Sequence, residues 1–478
     1  MYLGLDLGTS GLKGLVVDGA QKIVAEATAP LSVSRPQAGW SEQSPADWIT
    51  AAEAVLLALQ PEVRRAIDGI GLSGQMHGAT LLDASDNVLR PCILWNDTRA
   101  HAEAARLDAN PRFRALTGNI VFPGFTAPKL AWVKTHEPEI FRQVAKVLLP
   151  KDYLRLWLTG EHAAEMSDAA GTSWLDCARR DWSDELLAAT DLSRDHMPRL
   201  VEGSAVSGGL RGDLAARFGM RAGITVAGGG GDNAASGVGV GVVDAGQAFV
   251  SLGTSGVLFA ANDGYRPDAA TAVHTFCHAL PGKWHQMGVI LAATDALNWF
   301  ARLAGTDAAT LTADLGQLRA PGRTCFLPYL GGERTPLNDA NIRGGFTGLE
   351  HATDRQAATR AVLEGVTFAI RDCRDALAAT GTRIGRLLAV GGGSRSDYWL
   401  AAIATALGTP VAVPVAGDFG GAFGAARLAI MAATGAGAEI ATPPAIDRTI
   451  DPDPDLSDAF DDGHRRFRAA QTAYRSLT

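Results

Sequence analysis

The first thirty residues alternate apolar side chains with small or polar ones. The alternation runs through YLGLDLG (2–8), LKGLVVD (12–18) and KIVAEAT (22–28), and turns rich in glycine, serine or aspartate separate these runs. Because successive side chains of a strand point to opposite faces, the pattern predicts three short strands in a meander with a glycine-bearing first turn.

A helix and a second pair of strands are predicted next. SPADWITAAEAVLLAL (44–59) is typical of a helix, because Ser44 suits the N-cap and Pro45 suits the first helical position. The segment ATLLDASDNVLRPCILW (79–95) predicts a hairpin-like pair that turns at Asp86-Asn87.

The second half repeats this order of elements. It predicts two strands around a glycine turn, a third strand, and two helices, the longer with Thr353 as its N-cap. These segments are QAFVSLG (247–253), SGVLFAA (255–261), KWHQMGVI (283–290), residues 292–305 and residues 353–380.

Two motifs occur once in each half. The string LGTSG stands at 7–11 and again at 252–256, and a strand, glycine loop and helix are predicted at 224–239 and at 386–408. Chance accounts poorly for both pairs, so we interpret the chain as a distant duplication. We predict an α/β protein of two lobes, each with a mixed sheet, divided near Val243 into residues 1–243 and 244–478.

Composition narrows the class of protein. The 478 residues carry a net charge of −8 without long runs of one sign, which argues against nucleic acid and membrane surfaces as partners. The five cysteines form no CxxC pair, and no apolar stretch is typical of a signal peptide or a membrane span. We therefore expect a cytoplasmic protein, and leave open whether it forms a homodimer.

The glycine turns are candidate phosphate sites. A glycine turn between strands exposes several backbone N–H groups, and threonine or serine adds hydroxyl donors. Two such turns could hold one polyphosphate from both sides, whereas the P-loop sequence GxxxxGK[ST] is absent. The candidate residues are Thr9, Ser10, Gly253 and Thr254.

Only the first turn has charged neighbours. Asp6 lies in an apolar strand and could hold Mg²⁺ against phosphates, although it could also stabilise the turn. Lys13 could offset charge on a transferred phosphoryl group, or it could be a solvated strand residue.

Asp232, in GGGGDNAA, is the candidate general base. Four glycines permit close approach of the backbone, and a position near a helix start favours an ionised carboxylate. Such a carboxylate could take a proton from a hydroxyl during phosphoryl transfer. The structural alternative is an N-cap aspartate.

Two segments are candidates for binding a sugar. SGQMHGATLL (73–82) places Met76 and His77 at a strand end, although a lone histidine is more often structural. ILWNDTR (93–99) offers Trp95 to a sugar face, while Asp97 and Arg99 in the same loop could instead form a buried ion pair.

Two glycine-flanked loops in the second half remain. Glu333-Arg334 could be an ion-paired turn or a contact in the cleft. GGGSRSDYW (391–399) could lie against a nucleotide or could simply be a tight turn before a helix.

Taken together, these residues resemble the FGGY carbohydrate kinases, whose fold is shared with actin, Hsp70 chaperones and hexokinase. PGFTAPKLAWVKTHEPE (123–139) is similar to the first family signature, and GGFTGLEHATDRQAATRAVLEG (344–365) to the second, from which it departs at Ala357-Ala358. The family's GGGDNA has one glycine fewer than this chain. SGQMHGATLLD (73–83) and MSDAAGTSWLD (166–176) resemble members that act on D-xylulose.

The resemblance implies ATP and Mg²⁺ as cofactors and D-xylulose as the acceptor. It implies that Asp232 is the base and Asp6 the metal ligand. Sugar contacts would come from Met76, His77, Trp95 and Asn233, phosphate contacts from both turns, and adenosine contacts from Gly392, Gly393 and Ser396. Two alternatives remain: a related kinase for ribulose, glycerol or gluconate, and a non-catalytic, nucleotide-gated sugar sensor.

Overall fold

A computed structural model describes residues 1–313, 315–415, 417 and 419–477. The strands are β1 (Tyr2–Leu7), β2 (Gly11–Val17), β3 (Ile23–Pro30), β4 (Glu42–Gln43), β5 (Gly69–Gly74), β6 (Thr80–Leu82), β7 (Cys92–Ile93), β8 (Lys146–Leu148), β9 (Ala163–Glu165), β10 (Leu175–Asp176), β11 (Asp181–Trp182), β12 (Arg199–Val201), β13 (Val206–Gly209), β14 (Thr225–Ala227), β15 (Gly230–Gly231), β16 (Gly246–Leu252), β17 (Gly256–Asn262), β18 (His274–Cys277), β19 (Trp284–Ile290), β20 (Cys325–Leu327), β21 (Gly345–Thr347), β22 (Ile384–Val390), β23 (Val411–Pro414) and β24 (Ile446–Ile450).

The helices are α1 (Pro45–Ala58), α2 (Pro61–Arg65), α3 (His101–Asp108), α4 (Pro111–Thr117), α5 (Thr126–His136), α6 (Pro138–Phe141), α7 (Pro150–Thr159), α8 (Met166–Ala169), α9 (Asp184–Ala188), α10 (Gly212–Phe218), α11 (Asp232–Gly239), α12 (Thr294–Leu303), α13 (Ala308–Ala313), α14 (Arg355–Ala379), α15 (Asp397–Leu407), α16 (Gly421–Thr434) and α17 (Ser457–Arg475). No helix among the described residues is both long and apolar enough to cross a membrane.

Each half of the chain builds one mixed sheet. The N-terminal sheet has the strand order β13-β14-β5-β1-β2-β3, with β15 also paired to β5. The C-terminal sheet has the order β18-β19-β17-β16-β22-β23-β24. The predicted α/β fold with one mixed sheet per lobe is confirmed.

The two sheets share one topology. In each, the first strand pairs antiparallel with the second, which pairs antiparallel with the third. On the other side of the first strand lie two parallel strands and then an antiparallel edge strand. The duplication inferred from LGTSG therefore extends to six strands of each sheet.

The predicted pairing of the two glycine loops is wrong. β22 lies beside β16 as β5 lies beside β1, and β14 is the counterpart of β23. The loop after β22 therefore corresponds to the loop after β5, which carries Met76 and His77, rather than to residues 228–231. Sequence similarity between glycine loops misled the comparison because glycine is common at any tight turn.

Helix α16 follows β23 of the C-terminal sheet yet packs on β1 and β5 of the N-terminal sheet. A Cβ added at Gly4 or Gly71 would lie 1.8 Å from the carbonyl oxygens of Ala422 and Ala425, respectively. Only glycine lets the helix backbone approach the sheet this closely. The chain thus returns to the first lobe after residue 414, while the division at Val243 remains a prediction.

One smaller prediction is confirmed and one is corrected. The hairpin-like pair over 79–95 is present: antiparallel bridges join Ala79 to Ile93 and Leu82 to Val88, the chain turns at Asp86, and β6 also pairs with β8. The N-cap of α14 is Asp354 rather than Thr353, because the Asp354 side chain accepts a hydrogen bond from the Ala357 N–H. α1 starts after Ser44, as predicted.

The α16 contact predicts a large cost for one methyl group. We expect Gly71→Ala to lower the free energy of unfolding by about 3 kcal/mol, because the added carbon overlaps the Ala425 carbonyl and overpacks the interface. Urea unfolding followed by circular dichroism measures the effect. Gly385→Ala is the matched control, since its Cβ would lie 3.7 Å from the nearest atom, Gly246 O. Equal unfolding midpoints for the two variants would contradict the role of the α16 contact.

Candidate functional site

Asp232 is the first residue of α11, and Gly231 is the N-cap. The Asp232 Oδ1 atom accepts hydrogen bonds from the Asn233 backbone N–H at 2.7 Å and from Asn233 Nδ2 at 2.9 Å. Burial, and then the nearby charge of Asp6, raise the pKa of Asp232 to about 6. Asp232 is therefore not an N-cap, and its pKa lies close to neutral pH, which suits a general base.

Asp6 lies near the end of β1, beside the start of α16. Its Oδ1 atom accepts a hydrogen bond from Ser73 Oγ at 2.7 Å. A Cβ added at Gly421 would lie 2.9 Å from the Asp6 carboxyl group. The positive end of the α16 dipole thus faces this carboxyl group. A carboxylate oxygen at the edge of the site fits a hard cation such as Mg²⁺.

The first glycine turn is joined to the candidate sugar residues. Trp95 Nε1 donates to Thr9 Oγ1 at 2.9 Å, and Thr9 Oγ1 donates to Gln75 Oε1 at 2.9 Å. Gln43 Nε2 donates to the Thr9 carbonyl at 2.7 Å. Ser10, next in the turn, is exposed. The structure thus brings Thr9 and Trp95 together, and Trp95 keeps 48% of its surface exposed.

The predicted role of Lys13 is less direct. Its Nζ atom lies 3.1 Å from Glu26 Oε2 on the neighbouring strand, and Lys13 is the cross-strand partner of Asp6. Lys13 therefore makes an ion pair with Glu26 of β3, and a contact with phosphate remains a prediction.

The second glycine turn is held by α12. The Gly253 carbonyl accepts from the Thr294 backbone N–H at 2.9 Å and from Thr294 Oγ1 at 2.8 Å. The Thr254 carbonyl accepts from the Ala293 N–H at 2.8 Å. These bonds fix the carbonyl oxygens of the turn, so its N–H groups are the ones available for an anion.

A cavity of about 480 Å³ lies between the lobes. α11 and its C-cap contribute Asn233, Ser236 and Val240, and the C-terminal sheet with its loops contributes most of the other residues. Its lining includes Phe249, Ser251, Val390, Gly391, Ser394, Val413 and Phe419. The volume suits a ligand of nucleoside size, and the cavity adjoins the helix start that carries Asp232.

The predicted adenosine residues surround this cavity unevenly. Gly391 and Ser394 line it, whereas a Cβ at Gly393 would meet Leu252 and Trp399, on the packed side of the loop. Gly392 is exposed. Ser396 caps α15, because its side chain accepts from the Trp399 N–H. Contacts of Gly392, Gly393 and Ser396 with a nucleotide therefore remain predictions.

His77 has an unusual backbone and a fixed ring. Its φ of 70° is left-handed, which is uncommon for a residue other than glycine. The ring lies stacked on Phe125 at 4.5 Å, and Nδ1 lies 2.8 Å from the Gly171 carbonyl oxygen. Since a carbonyl can only accept, Nδ1 carries the proton and Nε2 is left as an acceptor.

Burial, and then the charge of Lys129, lower the pKa of His77 to about 3. Lys129 itself is buried in α5, and its Nζ donates to the His77 carbonyl at 2.7 Å. Thr126 Oγ1 donates to the same carbonyl at 3.2 Å. The two donors hold the strained His77 backbone, so Lys129 is a positioning residue that the sequence analysis did not single out.

A buried polar cluster holds the loop that precedes Asp232. Arg155 donates to the carbonyl oxygens of Ala227 and Gly228, both at less than 2.7 Å. Ser167 Oγ accepts from the Gly231 N–H at 3.0 Å and donates to the Glu165 carboxylate at 2.9 Å. Both ends of the glycine loop are thereby fixed.

Met76 lies between the loop that precedes Asp232 and the segment that fixes His77. It is buried, and a Cβ added at Gly231 would lie 2.9 Å from its sulfur, whereas one at Gly171 would lie 3.1 Å from its methyl group. Met76 thus packs between the base-bearing loop and the segment that fixes His77.

The Asp97–Arg99 alternative proposed from the sequence is confirmed as a structural ion pair. Arg99 Nη2 lies 2.7 Å from Asp97 Oδ2, and Arg99 Nη1 lies 2.7 Å from Glu42 Oε1, with all of these side chains buried. The guanidinium also lies 3.6 Å from the ring centroid of Trp40. These groups hold the loop that presents Trp95.

Comparisons with known proteins agree with this geometry. Two family models match, described as the N-terminal domain (residues 1–239) and the C-terminal domain (residues 248–433) of the FGGY family of carbohydrate kinases. A xylulose kinase of Escherichia coli is 50% identical over 437 residues, 91% of this chain and 90% of that protein.

Two solved structures cover the whole chain. A "xyloylose kinase" from Brucella ovis is 62% identical, with a TM-score of 0.99 over 100% of both chains. A gluconate kinase from Lactobacillus acidophilus is 25% identical, with a TM-score of 0.93 over 100% of this chain and 99% of that one.

The environment of His77 predicts its titration. We expect the imidazole to stay neutral, with the proton on Nδ1, between about pH 5 and pH 8, because burial and Lys129 disfavour the charged ring. Histidine-selective ¹⁵N NMR measures this, with His77→Gln to assign the signal. Because the folded pKa lies below the unfolded one, His77 should reduce the stability as the pH falls below about 6.5. A midpoint near pH 6.5 would contradict the assignment.

Proposed function

Because the chain belongs to the FGGY family of carbohydrate kinases, we propose that it transfers the terminal phosphoryl group of ATP to D-xylulose, giving D-xylulose 5-phosphate. The two relatives of highest identity described above support this acceptor. The observation that carries the proposal is the carboxylate of Asp232, which lies beside Asp6 at the edge of the interlobe cavity and has its pKa raised to about 6.

In this proposal Asp232 is the general base. Both hydrogen bonds from Asn233 go to Oδ1, so Oδ2 faces the hydroxyl of the sugar and takes its proton as the phosphoryl group arrives. Arg155 and Ser167 keep the loop fixed, so that the carboxylate is already oriented when the substrate enters.

The sugar would lie against the Trp95 ring and beside His77. Neutral His77 Nε2 would accept a hydrogen bond from a hydroxyl group of the sugar, and Met76 would form the apolar floor. The N–H groups of the two glycine turns would hold the phosphates, and the 480 Å³ cavity would take the adenosine.

Asp6 would hold Mg²⁺ together with the phosphates. When bound, the ion would neutralise part of the phosphate charge and stabilise the developing charge of the transferred group. It would also offset the repulsion between Asp6 and Asp232, which are both anionic in the active form.

None of the five cysteines forms a disulfide bond, and we keep a cytoplasmic location as part of this proposal.

An acceptor panel tests the function. We expect MgATP-dependent ADP release to be fastest with D-xylulose among D-xylulose, L-ribulose, D-ribulose, glycerol and gluconate. Asp232→Asn should lower kcat by about 10³-fold, because a positioned base contributes about 10²–10⁴-fold. Asp244→Asn, which changes an exposed aspartate, is the control. A preference for gluconate would keep the kinase and change the acceptor, and no turnover at all would favour a sugar sensor.

The pH profile tests the base. Since Asp232 must be ionised and its pKa is raised to about 6, kcat/KM for the sugar should fall about tenfold per pH unit below that value. Steady-state assays between about pH 4.5 and pH 8, with stability checked at each pH, measure it. A profile that stays flat down to pH 4.5 would rule out a base with this pKa.

A further inference from the structure

Arg334 belongs to the second half of the chain but lies against the sugar residues of the first half. Its guanidinium carbon lies 4.5 Å from the ring centroid of Phe122. The Phe122 ring contacts Phe125 at 5.4 Å, and Phe125 stacks on His77 at 4.5 Å. The positive charge of Arg334 also acts on His77 and lowers its pKa, after burial and Lys129.

The predicted ion-paired turn of Glu333 and Arg334 is absent from the described residues. The Glu333 Oε1 atom instead accepts from the Leu291 N–H at 3.0 Å and from the Arg334 backbone N–H at 2.7 Å. Burial raises the pKa of Glu333 to about 8. Glu333 therefore supports the backbone of the turn and leaves the guanidinium to another partner.

Within the described part of the chain, no oxygen accepts a hydrogen bond from the Arg334 guanidinium. By contrast, the buried guanidinium groups of Arg155 and Arg99 have oxygen partners in the protein: backbone carbonyls for Arg155, and Asp97 and Glu42 for Arg99. A partly exposed guanidinium has five N–H donors, and here it is held over an aromatic ring, so it is available to an acceptor that comes from outside the protein.

The packing around Met76 indicates which end of the sugar Arg334 meets. Met76 lies between Gly231, next to Asp232, and Gly171, which binds the His77 ring. Arg334 lies on the His77 side, on the stack of Phe122, Phe125 and His77. In the proposed function Asp232 serves the hydroxyl that receives the phosphoryl group, so Arg334 meets the other end, where an open-chain 2-ketose carries a carbonyl beside a hydroxyl.

We propose that Arg334 is a specificity-determining residue that donates hydrogen bonds to the keto oxygen and the adjacent hydroxyl of the acceptor. The inference rests on the proposed function and adds which part of the substrate the protein recognises, namely the keto group and its neighbouring hydroxyl. The planar guanidinium can donate two parallel hydrogen bonds to two neighbouring oxygens. A keto oxygen can only accept a hydrogen bond, whereas the hydroxyl group of the corresponding pentitol also carries a donor, which does not suit a guanidinium.

Arg334→Met tests this role. We expect KM for D-xylulose to rise about 30-fold, since hydrogen bonds to charged groups contribute about 10- to 100-fold in affinity. KM for ATP should stay within about twofold, because Arg334 lies on the sugar side. The preference in kcat/KM for D-xylulose over xylitol and D-arabinitol should shrink by a similar factor. Arg334→Lys should recover part of that preference.

Arg343→Met is the matched control, because Arg343 is exposed and donates to the carbonyls of Ala340 and Ile342. A merely structural role would weaken all acceptors equally, so an unchanged preference for the ketose in Arg334→Met overturns the proposal. Wild-type enzyme that fails to use D-xylulose overturns the proposed function as well. An active wild type with an unaffected Arg334→Met variant overturns only the role of Arg334.

Discussion

The close contact between α16 and the N-terminal sheet is the constraint on which the site depends. The backbone of the helix lies directly against the glycines of β1 and β5, because Gly4 and Gly71 present no side chain. The helix belongs by sequence to the second half, so this contact carries part of the second half back into the first lobe. It also places Gly421, the start of the helix, beside the carboxylate of Asp6. This packing contact thus fixes α16 on the N-terminal sheet and places the positive end of its dipole at the site.

The site combines strained or buried groups with rigid support. Burial and the like charge of Asp6 disfavour the ionised form of Asp232. Buried hydrogen-bond donors and acceptors nevertheless hold the loop in place around this carboxyl group. The support includes Lys151, whose ammonium lies 2.9 Å from Asp152 and 3.0 Å from Asp168. The chain therefore concentrates buried charge next to the loop that precedes Asp232, where the two cations Lys151 and Arg155 are shared among the carboxyl groups of Asp152, Glu165 and Asp168.

Local patterns predicted the strands and helices, because alternation and capping residues act within a few positions. Neighbours in a sheet depend on contacts far apart in sequence, so the return of α16 and the true counterpart of the loop after β5 were not predictable. The sequence identified His77 as a candidate, but it did not predict the left-handed backbone, because no neighbouring residue indicates a φ of 70°. Lys129 lies in the segment that resembles the first family signature (123–139), but only the structure shows that it binds the His77 carbonyl.

The hydroxyl of Thr9 has one proton, and that proton is already given to Gln75. Its lone pair receives the indole N–H of Trp95. The side chain of this turn is therefore committed to the wall that would bind the sugar, and an anion in front of the turn meets backbone amides. Any shift of the turn on binding a nucleotide would move Trp95 through this hydrogen bond. Binding at the phosphate turn and binding at the sugar wall would thus be coupled through Thr9, without movement of a whole lobe.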